Sequence, residues 1–135
     1  MNSLLPISQI LDAAFAPTRE LDGSPMTWHQ TPRADILEGE KEYRIRLDMP
    51  GVTADELDIS LEDQVLTLKA DRQLELPEGF KAHRRELPSK VTMRRSFDLG
   101  RAVESDRITA NLEHGVLTIT LPKSERNLPR RISVK

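Results

Sequence analysis

Apolar and polar residues alternate through the middle of the chain with a period of two. In Tyr43-Arg44-Ile45-Arg46-Leu47-Asp48-Met49 the apolar side chains fall on one side of an extended backbone and the charged ones on the other. Pro50-Gly51 ends that run. Leu57-Asp58-Ile59-Ser60-Leu61 repeats the pattern, and Glu62-Asp63-Gln64 supplies a tight polar turn into Val65-Leu66-Thr67-Leu68-Lys69-Ala70. The alternation returns in Met93-Arg94-Arg95-Ser96-Phe97-Asp98-Leu99 and in Ile108-Thr109-Ala110-Asn111-Leu112. After Glu113-His114-Gly115 it resumes in Val116-Leu117-Thr118-Ile119-Thr120-Leu121. No helical period falls between these runs. Short strands joined by turns predict an all-β fold, an antiparallel immunoglobulin-like β-sandwich of two sheets.

Proline placement draws the boundaries. Pro6, Pro17, Pro25 and Pro32 crowd the first 32 residues, Pro122 and Pro129 fall in the last 14, and only Pro50, Pro77 and Pro88 lie between. Proline cannot donate to a strand ladder and is expected outside central strands. The reading is an arm over residues 1–30, a folded domain over 31–122 and an extended tail over 123–135. In the arm, Ile7, Ile10, Leu11, Ala14 and Phe15 recur at helical spacing until Pro17. The arm is therefore expected to be partly helical or disordered, because so short a helix does not persist alone in water. Its apolar stripe either docks on its own domain or a neighbour, or offers a surface to other proteins. Ala14-Phe15-Ala16 has the small-residue spacing of a leader cleavage site. No basic region precedes it, Asp12 interrupts the apolar stretch and Pro17 follows, so it reads as a retained segment of a cytoplasmic protein.

Composition narrows the function more than it defines it. Of 135 residues, 37% are hydrophobic and 31% charged, enough for one thin core and a well-solvated exterior. Twenty basic against 22 acidic residues leave a net charge of −2, which argues against general attraction to nucleic acid. Residues 69–95 carry eight basic and four acidic side chains, but Phe80 is the only aromatic there, too few for base stacking. The charged connection within that stretch, residues 71–90, reads as a solvated or subunit-contacting loop. No apolar run is long enough to span a membrane as a helix. The absence of cysteine removes disulfides, thiolate metal ligands and thiol catalysis.

Candidate chemistry is sparse. His29, His83 and His114 fall in the arm, the charged loop and a turn, none at metal-ligand spacing from another donor. Asp55-Glu56 and Glu62-Asp63 fall in turns, where water prevents the split in acidity that paired catalytic carboxylates need. Neither a nucleophile elbow nor a phosphate-binding glycine loop occurs. The expectation is a non-enzyme without metal or cofactor.

The tail carries the sharper signal. Ile132-Ser133-Val134 places two β-branched side chains on one side of an extended peptide, beyond a polar linker. Burying each is worth roughly 1.5–3 kcal/mol, much of it offset by ordering the tail. Such a contact is weak singly and strong in number. The segment either folds back as a last strand on its own sheet or docks on another subunit.

Together these residues resemble the small heat-shock proteins that carry an α-crystallin domain, bacterial type. Ala110-Asn111-Leu112-Glu113-His114-Gly115-Val116-Leu117 resembles that family's A-x-x-x-(x)-G-V-L signature, continuing into Thr118-Ile119-Thr120-Leu121-Pro122-Lys123. Pro32-Arg33-Ala34-Asp35-Ile36, Asp48-Met49-Pro50-Gly51-Val52, Val65-Leu66-Thr67-Leu68, His83-Arg84-Arg85-Glu86 and Arg95-Ser96-Phe97-Asp98-Leu99 follow in the family's order. Ile132-Ser133-Val134 resembles its I-x-I/V tail motif, and the likeness spans about residues 31–134.

The resemblance implies an ATP-independent holdase that keeps unfolding proteins soluble and works as a homo-oligomer built from dimers. It implies that Ile132 and Val134 dock in a neighbour's groove lined by Leu57, Ile59, Leu61, Ile108, Ala110 and Leu112. It places the dimer interface at His83, Arg84, Arg85, Glu86 and Arg95. Non-native clients would meet the arm through Leu4, Leu5, Ile7, Ile10, Leu11 and Phe15. Two departures stand out: Leu87-Pro88-Ser89-Lys90-Val91 replaces the usual R-x-Y-G-x-F, and Gly100 stands where proline is usual. The competing function is an adaptor with the same sandwich that binds one folded partner.

Overall fold

Eight strands make up almost all the regular structure of residues 27–125 and 128–135, which the computed structural model describes. They are β1 (Thr27–Gln30), β2 (Ala34–Glu38), β3 (Glu42–Asp48), β4 (Leu57–Glu62), β5 (Val65–Gln73), β6 (Lys90–Asp98), β7 (Thr109–Glu113) and β8 (Val116–Pro122). The arm residues Leu4, Leu5, Ile7, Ile10, Leu11 and Phe15 lie outside the described residues. Two units are distinguished. The larger takes His29–Arg72 and Thr92–Lys135, and the smaller takes Gln73–Val91 with residues 27–28.

One sheet has the order β1-β6-β5-β4 and the other β2-β3-β8-β7. Burial follows the alternation read from the sequence. Ile45 and Leu47 of β3 are buried while Arg44 and Arg46 are exposed, and Leu117, Ile119 and Leu121 of β8 are buried beside them. The opposing sheet contributes Leu66, Leu68 and Ala70 of β5 and Met93 of β6. Antiparallel register keeps these side chains on one face: Ile45 lies opposite Ile119, and Leu47 opposite Leu117. The expected β-sandwich is therefore present, with its apolar content concentrated between the sheets.

The turns hold that register. His114 and Gly115 both take positive φ, 51° and 74°, so the β7–β8 connection is a two-residue turn whose twist suits antiparallel strands. Asp63 and Gln64 do the same between β4 and β5, at 50° and 67°. At Gly51, φ is 74° and an added Cβ would meet the Arg72 Cδ at 2.9 Å. Arg72 crosses that glycine to donate to the Pro50 carbonyl at 3.0 Å.

The strand map extends beyond the sequence alternation in three places. β2 forms over residues that the sequence marks only by the Pro32–Ile36 motif, and β1 forms at Thr27–Gln30, inside the segment read as the arm. β5 runs on to Gln73 and β6 begins at Lys90, shortening the charged connection. Apart from the buried Val91 the extension is polar: Thr92 Oγ1 donates to Asp71 Oδ1 at 2.6 Å. Two single turns of 3-10 helix, Ala54–Glu56 and Ser105–Arg107, precede β4 and β7.

Candidate functional site

β4 and β7 each end a sheet, so each leaves one side of its backbone unpaired. In β4 the apolar residues face inward, because Leu57, Ile59 and Leu61 lie opposite the buried Ala70, Leu68 and Leu66. In β7, Ala110 and Leu112 lie opposite Ile119 and Leu117. With no further strand beyond them, these side chains stay partly open. Leu57, Ile59, Ile108 and Leu112 are half-buried, and Leu61 and Ala110 are exposed. The β4–β5 turn and the approach to β7 line one open cleft of about 810 Å³, with Leu61 and Gln64 on one wall and Glu104 and Ser105 on the other. The Leu99 N–H donates to the Gln64 carbonyl at 2.9 Å, tying that turn to the end of β6. The cleft thus joins the end of the β4 edge to the segment that leads into β7.

The tail residues lie on neither edge within this chain. Ile132 and Val134 are 88% and 95% exposed, apolar side chains with nothing of their own fold over them.

The residues assigned to a dimer interface divide between two places. In the smaller unit, Arg85 Nη2 donates to the Leu74 carbonyl at 2.8 Å, and Arg84 pairs with Glu86. His83 is exposed in the same segment, alongside exposed Phe80 and Leu87. In the larger unit, Arg95 Nη1 donates to the Pro32 carbonyl at 2.8 Å, and its guanidinium sits 5.1 Å from the Phe97 ring centroid. A second open margin lies near it. Ile36, Tyr43, Ile45, Phe97, Leu99 and Leu121 line a mostly apolar hollow of about 360 Å³, with Ile36 64% exposed at its rim. Sequence reasoning missed that hollow because β2 itself was not read as a strand.

It also missed Lys123, which sits in a polar run but is the one buried charged residue among those described. Its Nζ reaches Glu38 Oε1 at 2.8 Å and lies 5.1 Å from the Tyr43 ring centroid. The Lys123 hydrogen bond and charge, helped by the Tyr43 hydroxyl, hold the Glu38 carboxyl below its ordinary value of 4.5. A carboxylate stabilised in the folded state adds stability above its unfolded pKa and loses it as pH falls through the lowered value. The melting-temperature gap between wild type and Glu38→Gln is therefore expected to hold steady down to about pH 4.5 and then close. Thermal melts at a series of pH values check this, and a gap that persists unchanged in stronger acid contradicts it.

Among the described residues, no group of three or more His, Cys, Asp or Glu could hold a metal ion, and no helix is long and apolar enough to cross a membrane. The class defined is a β-sandwich with apolar open edges and an exposed apolar tail, a geometry suited to assembly. Residues 35–135 match the Hsp20/alpha crystallin family, and the chain belongs to that family. Its members are chaperones, not enzymes. The chain is 32% identical over 106 residues to small heat shock protein C4 of Rickettsia felis, covering 77% of this chain and 64% of that relative's length. It is 39% identical over 128 residues to the 18 kDa antigen of Mycobacterium leprae, covering 87% and 82%. Among solved structures, the small heat-shock protein of Xylella fastidiosa, described as having a distinct high order structure, is similar at 31% identity and TM-score 0.61. That match covers 78% of this chain and 97% of the other. Heat shock protein 16.0 from Schizosaccharomyces pombe matches at 26% identity and TM-score 0.61, covering 78% and 99%.

Proposed function

We propose that this protein is an ATP-independent holdase of the cytoplasm, which captures unfolding proteins and keeps them soluble as part of a dimer-based homo-oligomer. The observation that carries the reading is a mismatch: Ile132 and Val134 stand almost fully exposed while β4 and β7 leave an apolar border uncovered. Each supplies what the other lacks, and a second copy of the chain supplies both. The extended tail would lie along the edge strands with Ile132 and Val134 between the sheets, a strand-edge mode in which side-chain pockets set the register. Burying both is worth about 3–6 kcal/mol gross, less the cost of ordering, so single contacts open readily and many together hold.

The exposed apolar side chains of residues 74–89, above all Phe80 and Leu87, support a role for His83, Arg84, Arg85 and Glu86 in pairing two subunits. Arg95 would support the interface by fixing the chain at Pro32, next to the Ile36 margin. Clients would be met by the apolar residues of the arm and by edges that tail release uncovers.

The test is light scattering from several unrelated proteins heated with and without this chain, in the absence of nucleotide. Suppression for most of them at near-stoichiometric ratios is the expected result. No suppression for any, with tight binding to one folded protein instead, would establish the adaptor reading.

A further inference from the structure

β8 ends at Pro122, and the residues that follow are gripped from two sides before the tail begins. On one side the Lys123 N–H donates to the Lys41 carbonyl at 2.9 Å, in the β2–β3 hairpin. On the other, the Glu104 N–H donates to the Pro122 carbonyl at 2.9 Å, and the Ser124 N–H donates to the Ala102 carbonyl at 3.0 Å. The Ser124 hydroxyl adds a bond to the Arg101 carbonyl, also at 3.0 Å. β8 needs none of this to stay in its sheet, since it is paired with β3 through its whole length and with β7 from Val116 to Thr120.

Lys123 adds a grip of a different kind. Its side chain is 7% exposed, laid across the hairpin with the ammonium between the Glu38 carboxylate and the Tyr43 ring. Lysine is among the residues least often buried, and its ammonium stays out of water only where a partner compensates. A linker whose sole task is to let a tail swing has no use for such an anchor. From residue 129 onward the chain is exposed.

We infer that Lys123 is a positioning residue for assembly, whose grip on Glu38 and Tyr43 fixes where and in which direction the tail leaves the sandwich. It thereby selects which neighbouring edge Ile132 and Val134 reach. This rests on the tail-docking reading above. Ile132 follows Ser124 by eight residues, a reach of roughly 26–29 Å at full extension, and Pro129 stiffens that span. With the grip lost, the tether starts at Pro122, where the pairing with β3 ends, ten residues from Ile132. The effective concentration of a tethered group falls roughly as the −3/2 power of tether length, about 1.4-fold for this change. The loss repeats at every tail and adds to the loss of direction.

The full-length protein is compared with Lys123→Met, Glu38→Gln, Lys123→Arg and a truncation lacking residues 132–135. Lys123→Met and Glu38→Gln are expected to broaden the native-mass distribution toward smaller species. They are also expected to speed subunit exchange at least about 1.4-fold at temperatures well below melting, and Lys123→Arg is expected to restore most of both. Wild-type mass and exchange in the first two variants, while the truncation still dissociates, would overturn the inference. So would exchange that changes only in step with the melting temperature. A truncation of unchanged mass would instead sink tail docking itself. Should Lys123→Met fail to fold, Glu38→Gln carries the test, because its altered side chain is 61% exposed.

Discussion

Replacing Ile132 and Val134 together by serine is expected to reduce the native assembly to its smallest stable unit while leaving the sandwich folded. Both side chains are almost fully exposed within their own chain, so the isolated domain loses nothing by their removal. The assembly loses about 3–6 kcal/mol gross at every tail contact. Because the contacts act in parallel, the loss compounds and the equilibrium shifts sharply rather than by degrees. Native mass spectrometry, with circular dichroism as the fold control, reads the result. The sharper control is Ile59→Ser, on the opposite side of the proposed contact. It is half-buried beside Leu68, so it should weaken assembly as the tail variant does and also lower the melting temperature modestly. A doubly substituted tail that leaves the mass unchanged would show that other surfaces hold the particle together.

The second large effect belongs to stability. Leu68→Ala is expected to cost about 2–5 kcal/mol, the range for truncating a fully buried leucine whose surroundings relax only in part. Leu68 is 0% exposed and lies opposite Ile59, one layer inside the open edge. For a domain of this size such a loss lowers the melting temperature by roughly 10 °C or more. Paired with the tail variant, it separates two quantities that easily become confused. The core variant should melt early yet assemble normally when cool, and the tail variant should do the reverse. Melting curves and native masses of both proteins, measured side by side, decide the matter.

The strands that read clearly from sequence are those with a buried face. Ile45 and Leu47, Leu66 and Leu68, and Leu117, Ile119 and Leu121 announce themselves because each alternates with a polar neighbour that reaches water. β1 is exposed throughout and β2 nearly so, with Pro32 between them, so no alternation marks either as a strand. The sheet edges make the same point from the other direction. By their alternation alone Leu57, Ile59 and Leu61 look like core residues; the family resemblance marks them as lining an open groove, and the strand order puts β4 at the end of its sheet. The contacts of Lys123 and Arg95 were illegible for a simpler reason. Their partners, Glu38 and the Pro32 carbonyl, lie 85 and 63 residues away, and no local spacing encodes such pairings. What sequence did expose was the tail, whose two apolar residues after a polar linker are conspicuous because they have no local partner.

β8 has a consequence for how such a molecule would answer heat. The strand that threads Leu117, Ile119 and Leu121 through the middle of the sandwich passes without a break into Pro122, Lys123 and Ser124. Core and tether are one rod. If the tail docks as proposed, loosening of the interior around β8 would reach the anchor through this strand. A thermometer of this design would require no separate sensor, because one segment would both register agitation inside the protein and pull the pin outside it.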